Sequence, residues 1–254
     1  MSALHLARQV LVGALDLVFA PVCVGCGQAV STAETERLVC RVCWARCRPV
    51  PAPRCGRCWG PVLPGRTPSP TCRACEEWPS AVRAVRSAYV MGDGVRSLVH
   101  AVKYRGWSAA AAPLAAKMAA LPFPDDVGDE ARLVVPVPTS AARVRERGYN
   151  QAALLAEGFA RLTGRTSDPE LLARTRASAT QTTLHPSERR ANVAGAFAVP
   201  AGRAGELRGE HVVLVDDVWT TGATALECAD ALLGAGARVV SVATFARVFP
   251  ELHR

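Results

Sequence analysis

The chain has 254 residues, 50% hydrophobic and 20% charged, with a formal net charge of +8. That length accommodates one α/β domain of ordinary size plus a small module, and no run approaches the ~18 or more uncharged apolar residues that a membrane helix requires. The positive balance suits a polyphosphate substrate or a nucleic acid without choosing between them. It rests on arginine, the better fork for phosphate and carboxylate, with Lys103 and Lys117 the only lysines.

Residues 1–20 place Leu4, Ala7, Leu11, Leu15 and Val18 at helical spacing, which predicts a short amphipathic helix packed on the body of the protein. Asp16 and Pro21 interrupt what a secretory leader would need, so the expectation is a cytoplasmic protein without membrane insertion. Residues 21–79 form a cysteine module. Of ten cysteines, eight make four Cys-x-x-Cys pairs: Cys23/Cys26, Cys40/Cys43, Cys55/Cys58 and Cys72/Cys75. Adding 32 to each of the first four positions gives each of the last four, so one unit is duplicated.

Each Cys-x-x-Cys sets two thiolates on one knuckle, and two knuckles supply the tetrahedral S₄ set that Zn²⁺ prefers. With thirteen residues between its knuckles, each unit resembles a zinc ribbon, and two structural Zn²⁺ sites are expected. A disulfide framework is disfavoured in a reducing compartment, and a redox Cys-x-x-Cys is normally single and attached to a βαβ unit. Consecutive units (23, 26, 40, 43 and 55, 58, 72, 75) are the preferred connectivity, an interleaved cross-brace the alternative. Cys47 and Cys228 fall outside the pattern. The many arginines of the module would suit nucleic acid, yet no aromatic stacking series accompanies them.

The remainder, 80–254, reads as one domain. Residues 82–91 predict an edge strand, and Gly94–Lys103 an amphipathic helix with Val95, Leu98, Val99 and Val102 on one face. Lys103, at its end, either complements the helix dipole or meets a substrate. The Ala-rich stretch 109–120 is interrupted by Pro113 and Lys117. Leu133-Val134-Val135-Pro136-Val137-Pro138 is a buried strand running into a small-residue loop, an arginine cluster and a helix over 151–162. Free amides and guanidinium forks at a strand end suit a pyrophosphate, which makes Arg143, Arg147 and Asn150 candidate ligands and Arg145 a solvated turn residue. Residues 172–197 are polar and arginine-rich, a candidate lid over a charged substrate that includes Arg174, Gln181, Arg189 and Arg190.

The most informative run is Val212-Val213-Leu214-Val215-Asp216-Asp217-Val218-Trp219-Thr220-Thr221-Gly222-Ala223-Thr224. Four aliphatic residues read as a parallel strand buried on both faces, ended by two acids at the sheet's carboxyl edge. A helix over 225–233 follows, so the Thr-rich loop sits at a helix N-terminus, where free N–H groups and the dipole bind phosphate. Gly222 lets the backbone approach the anion without a Cβ. Two carboxylates would repel that phosphate, so they face vicinal hydroxyls or a cation. A ribose 5-phosphate satisfies both halves.

This run resembles the signature of type I phosphoribosyltransferases, which use phosphoribosyl pyrophosphate (PRPP). The resemblance implies an α/β fold with a parallel sheet flanked by helices. It also implies that Asp216 and Asp217 contact the ribose, Thr220, Thr221, Gly222, Ala223 and Thr224 hold the 5′-phosphate, Arg143, Arg147 and Asn150 face the pyrophosphate, and Mg²⁺ accompanies PRPP. Hypoxanthine–guanine phosphoribosyltransferases carry a further acid near the position of Thr220, so purine salvage of that kind is not expected. The knuckles, Lys103-Tyr104-x-Gly106, Val135-Pro136-Val137-Pro138, Arg145-Glu146-Arg147-Gly148-Tyr149-Asn150-Gln151 and the signature, in that order, resemble the ComF (ComFC-type) competence family, a double zinc ribbon joined to a type I phosphoribosyltransferase domain. That family implies a link to natural transformation and the handling of single-stranded DNA. Three readings follow: a transferase acting on PRPP or another phosphorylated ribose, a single-stranded-DNA-binding factor with a regulatory phosphate site, and a module whose ribbons dock a helicase or another uptake protein.

Overall fold

The computed structural model describes residues 21–31, 36–62, 71–104, 108–175 and 193–252. The helix expected over 1–20 and the lid candidates Gln181, Arg189 and Arg190 lie outside them. Five strands build one parallel sheet: β1 (Val82–Val90), β2 (Leu133–Pro136), β3 (Thr166–Ser167), β6 (His211–Trp219) and β7 (Val239–Arg247), in the spatial order β1-β7-β6-β2-β3. β4 (Ala173–Arg174) and β5 (Phe197–Ala198) form a separate antiparallel pair. The helices are α1 (Arg41–Ala45), α2 (Arg73–Glu76), α3 (Asp93–Tyr104), α4 (Ala111–Ala119), α5 (Asp125–Glu130), α6 (Ala141–Arg147), α7 (Gln151–Thr163) and α8 (Ala223–Gly234).

The two-residue period of a strand explains the layering. On β6, Val213 and Val215 enter the core shared with α3, α4 and α7, whereas Val212 and Leu214 enter the core under α8. Leu98, Leu114, Leu155 and Phe159 fill the first core, and Cys228, Ala229 and Leu232 the second. β6 does not end at the acids, as the sequence suggests: it runs to Trp219, because β7 still offers Arg247 as a partner. Pro113 does not break α4; it lies in the first turn, where N–H groups have no intrahelical acceptor and proline is tolerated.

The cysteine module is built into this domain. Val24, Val30 and Val39 of the first unit belong to the same core as Val95 and Leu98 of α3. Trp44 packs against Tyr89 and Phe245, with ring centroids 6.2 and 6.4 Å away. The second unit is held by arginines: Arg57 donates to the carbonyls of Cys75, Trp78, Pro79 and Val82, and Arg86 to those of Gly56, Arg57 and Pro122. The expected edge strand is indeed β1, and the module covers its outer side. The Val85 and Val90 amides donate to the Arg57 and Arg48 carbonyls, both at 2.9 Å, and Pro49 bridges to Tyr89. Covering an edge in this way satisfies main-chain groups that would otherwise invite another chain.

Candidate functional site

Two tetracysteine clusters form, Cys23/Cys26/Cys40/Cys43 and Cys55/Cys58/Cys72/Cys75, with all four Sγ atoms in each lying within 4.8 Å of one another. These are the consecutive units, so the interleaved cross-brace is set aside. Four sulfurs at the usual Zn–S length of about 2.3 Å occupy a tetrahedron with edges of about 3.8 Å. The Sγ···Sγ separations of 3.8 Å (Cys26–Cys40), 3.7 Å (Cys55–Cys75), 3.5 Å (Cys58–Cys72) and 3.8 Å (Cys72–Cys75) match that size. Amides aim at the sulfurs, Cys40 N to Cys23 Sγ at 3.3 Å and Gly60 N to Cys58 Sγ at 3.4 Å, the outer-shell support that thiolate ligands receive. The residues fit zinc. Of the remaining cysteines, burial pushes the Cys47 thiol up to about 11 and holds Cys228 well above the usual range, so both are packing residues.

The second centre lies at the carboxyl edge of the sheet, in its middle, where β6 runs between β2 and β7. Strand alternation sends the two acids to opposite faces. Asp216 follows Val212 and Leu214 toward α8, where it feels the charges of Asp217 and Lys103 and itself helps to raise the Cys228 thiol. Asp217, 7% exposed, turns toward α3, where its Oδ2 meets Lys103 Nζ at 2.5 Å. Burial raises the Asp216 carboxyl well above the usual carboxylate range, and the Asp217 charge adds to this. Burial works against the Lys103 ammonium, but the charge and hydrogen bond of Asp217 outweigh it and hold Lys103 above its usual value.

The Thr220–Thr224 loop then opens α8. Gly222 is the N-cap, at φ +83°, and Thr220 and Thr221 are exposed. A Cβ on Gly222 would lie 2.2 Å from Cζ2 of Trp219. That indole, 3% exposed, packs on Trp78 at 5.0 Å between centroids, and the Arg247 guanidinium lies 5.4 Å from its centre.

The arginine cluster is helical rather than a loop. Arg143 and Arg147 sit four residues apart on α6, hence on one side; both are half-buried, whereas Arg145 is exposed. Arg147 donates to Gln151 Oε1 at 3.0 Å. Asn150 is the N-cap of α7: its Oδ1 accepts from Ala152 N at 3.2 Å and its Nδ2 donates to the Val137 carbonyl at 3.0 Å. Its geometry is therefore that of a cap that ties the loop after β2 to α7. The Tyr149 hydroxyl donates to the Val102 carbonyl at 2.5 Å, anchoring the last turn of α3 and with it Lys103. Arg174 lies on β4 with its guanidinium 5.3 Å from the Phe197 ring centre, and burial lowers its pKa. The pairing of Lys103 with Asp217 joins residues 114 positions apart, and only the helix-end position of Lys103 hinted at it. Trp78 was not singled out, and Trp219 and Tyr149 were given no role although they lie within the quoted runs, because an aromatic residue carries no directional information in sequence.

Among the module's arginines, Arg54 donates to the Val50 carbonyl and stacks on Trp59, and Arg57 caps four carbonyls. These two face the protein. No helix among the described residues is long and apolar enough to cross a membrane.

Comparison with known proteins adds two family models. A double zinc ribbon domain matches residues 14–77, and a phosphoribosyl transferase domain matches residues 132–248. The chain is 33% identical over 216 residues to the DNA utilization protein YhgH of Salmonella typhi, covering 80% of this chain and 88% of that protein. It is 27% identical over 218 residues to the competence protein ComFC of Bacillus subtilis, covering 84% of each. Competence protein F of Haemophilus influenzae is 34% identical over 114 residues, 45% of this chain and 49% of that protein.

Proposed function

The chain belongs to the ComF family, in which a double zinc ribbon precedes a phosphoribosyltransferase domain, and we propose that it binds PRPP at the carboxyl edge of β6 in the service of DNA uptake or use. One observation carries this reading: Asp216 and Asp217 emerge in mid-sheet, a few residues before a glycine-capped helix N-terminus. The Thr220–Thr224 hydroxyls and amides receive the 5′-phosphate, helped by the α8 dipole. The two carboxylates accept hydrogen bonds from the ribose hydroxyls, one from each face. Arg143 and Arg147, on one side of α6, neutralise the departing pyrophosphate, and fixed positive charge at that point favours cleavage at C1′. Lys103 compensates the Asp217 charge before a ligand arrives.

Hard oxygen donors such as this acid pair suit Mg²⁺, which, bound with PRPP, supplies further charge neutralisation. The acceptor is the unassigned half of the reaction, and the names of the relatives point to a process that handles DNA.

Calorimetric titration of the zinc-loaded protein with PRPP and Mg²⁺ tests the reading. Binding is expected in the wild type and lost in Asp216→Asn/Asp217→Asn; equal affinity in the two proteins would remove the acid pair from the site.

A further inference from the structure

The loop assigned above to the 5′-phosphate does not stand alone. Its N-cap, Gly222, lies against the Trp219 indole so closely that no Cβ fits between them. Trp219 is buried, with Trp78 5.0 Å away and the Arg247 guanidinium over its ring. Both neighbours are fastened to the second tetracysteine unit. Trp78 follows the Cys72/Cys75 knuckle, and Arg57 bonds the carbonyls of Cys75, Trp78 and Pro79 together. Arg247 donates to the carbonyl of Cys58, itself one of the cluster's four cysteines. A continuous line of packed groups thus runs from the second cluster, through two indoles, to the helix N-terminus.

Indoles are large and rigid, and close-packed interiors pass displacement on rather than absorb it. The amides of a phosphate cradle act only when held in one geometry. We propose that Trp78 and Trp219 are positioning residues through which the second zinc ribbon sets the Thr220–Thr224 loop for a sugar phosphomonoester. The proposal rests on the phosphate reading of that loop.

The test uses full-length, zinc-loaded protein and two probes. Ribose 5-phosphate reads the loop, and inorganic pyrophosphate reads the arginine side. Trp78→Ala should weaken ribose 5-phosphate binding by roughly 10- to 100-fold, the scale of a 1 Å misplacement, while pyrophosphate binding is unchanged and both zinc ions are retained. Trp78→Phe, which keeps a ring, should restore most of the loss. Unchanged ribose 5-phosphate affinity in Trp78→Ala, or an equal loss for both probes, overturns the strut. A wild type that ignores ribose 5-phosphate overturns the phosphate reading itself and the strut with it. Should Trp78→Ala not fold, indole emission of the wild type serves: saturating ribose 5-phosphate should shift it, and Trp219→Phe should abolish the shift. Emission that does not move overturns the proposal.

Discussion

Replacing Gly222 by alanine probes the tightest contact at the site. At φ +83° an L-residue carries a left-handed penalty of about 1–2 kcal/mol. The new Cβ would sit 2.2 Å from the Trp219 ring, whereas carbon atoms rest at about 3.5 Å or more, so ring or loop must yield by more than 1 Å, roughly. The ring has no room, being held by Trp78 and Arg247, and overpacking of this kind costs about 1–3 kcal/mol. The sum is about 2–5 kcal/mol, and at about 3 kcal/mol the midpoint of thermal unfolding falls by roughly 6–12 °C for a protein of this size. Circular dichroism melts would measure it. The informative comparison is Gly222→Ala in a Trp219→Leu background, where the clash is gone and only the backbone penalty remains. The double variant should therefore lose about 1–3 kcal/mol less than the sum of the singles. Additivity within about 0.5 kcal/mol would refute the claim that Trp219 supports the loop.

Two further outcomes follow from the same geometry. Asp216 is raised by burial and by the Asp217 charge, with Lys103 opposing and the Cys228 thiol of α8 close by. An acid whose folded pKa exceeds its unfolded one is at no disadvantage below the unfolded value, near 4, and weakens the fold as pH climbs through the folded pKa. Asp216→Asn should therefore stabilise the protein at neutral pH, with the gain fading as pH falls toward about 4; denaturant unfolding at several pH values would show it, and a gain that grows on acidification would contradict it. Removing zinc should loosen more than the ribbons. The Val85 and Val90 amides of β1 rely on carbonyls of the module, so their hydrogen exchange should accelerate when a chelator strips the metal, and continued protection would show that the module is not a brace.

What the sequence disclosed depended on how local each signal was. The four knuckles follow from spacing alone, since a knuckle is a contact between residues three apart, whereas the choice of consecutive over interleaved pairing of knuckles needed the structure. The β6–loop–α8 unit was equally readable: four aliphatics, two acids and a small-residue loop occur in one continuous run; the strand's continuation to Trp219 and the start of α8 at Ala223, two residues before the expected helix, were missed. Residues 82–91 and 151–162 came within one residue of β1 and α7. Asn150 was weighed as an anion ligand, although an asparagine directly before a helical run is a common N-cap, and the structure uses it as one. Other features depend on distant partners. Nothing near Lys103 indicates Asp217, and nothing near Trp219 indicates Trp78; such pairs exist only once β7 has brought β6 and the segments flanking β1 into one sheet.

The covering of β1 has a consequence for recognition. Proteins often acquire partners by β-augmentation, an extended peptide adding its backbone to a free sheet edge. Here Arg48, Pro49 and Arg57 already occupy the outer side of β1, and at the opposite end β3 offers only Thr166 and Ser167, too short a rail for a peptide strand. The five-stranded sheet is thereby closed to main-chain templating at both ends. Whatever macromolecule meets this protein there must be read by side chains, one contact at a time.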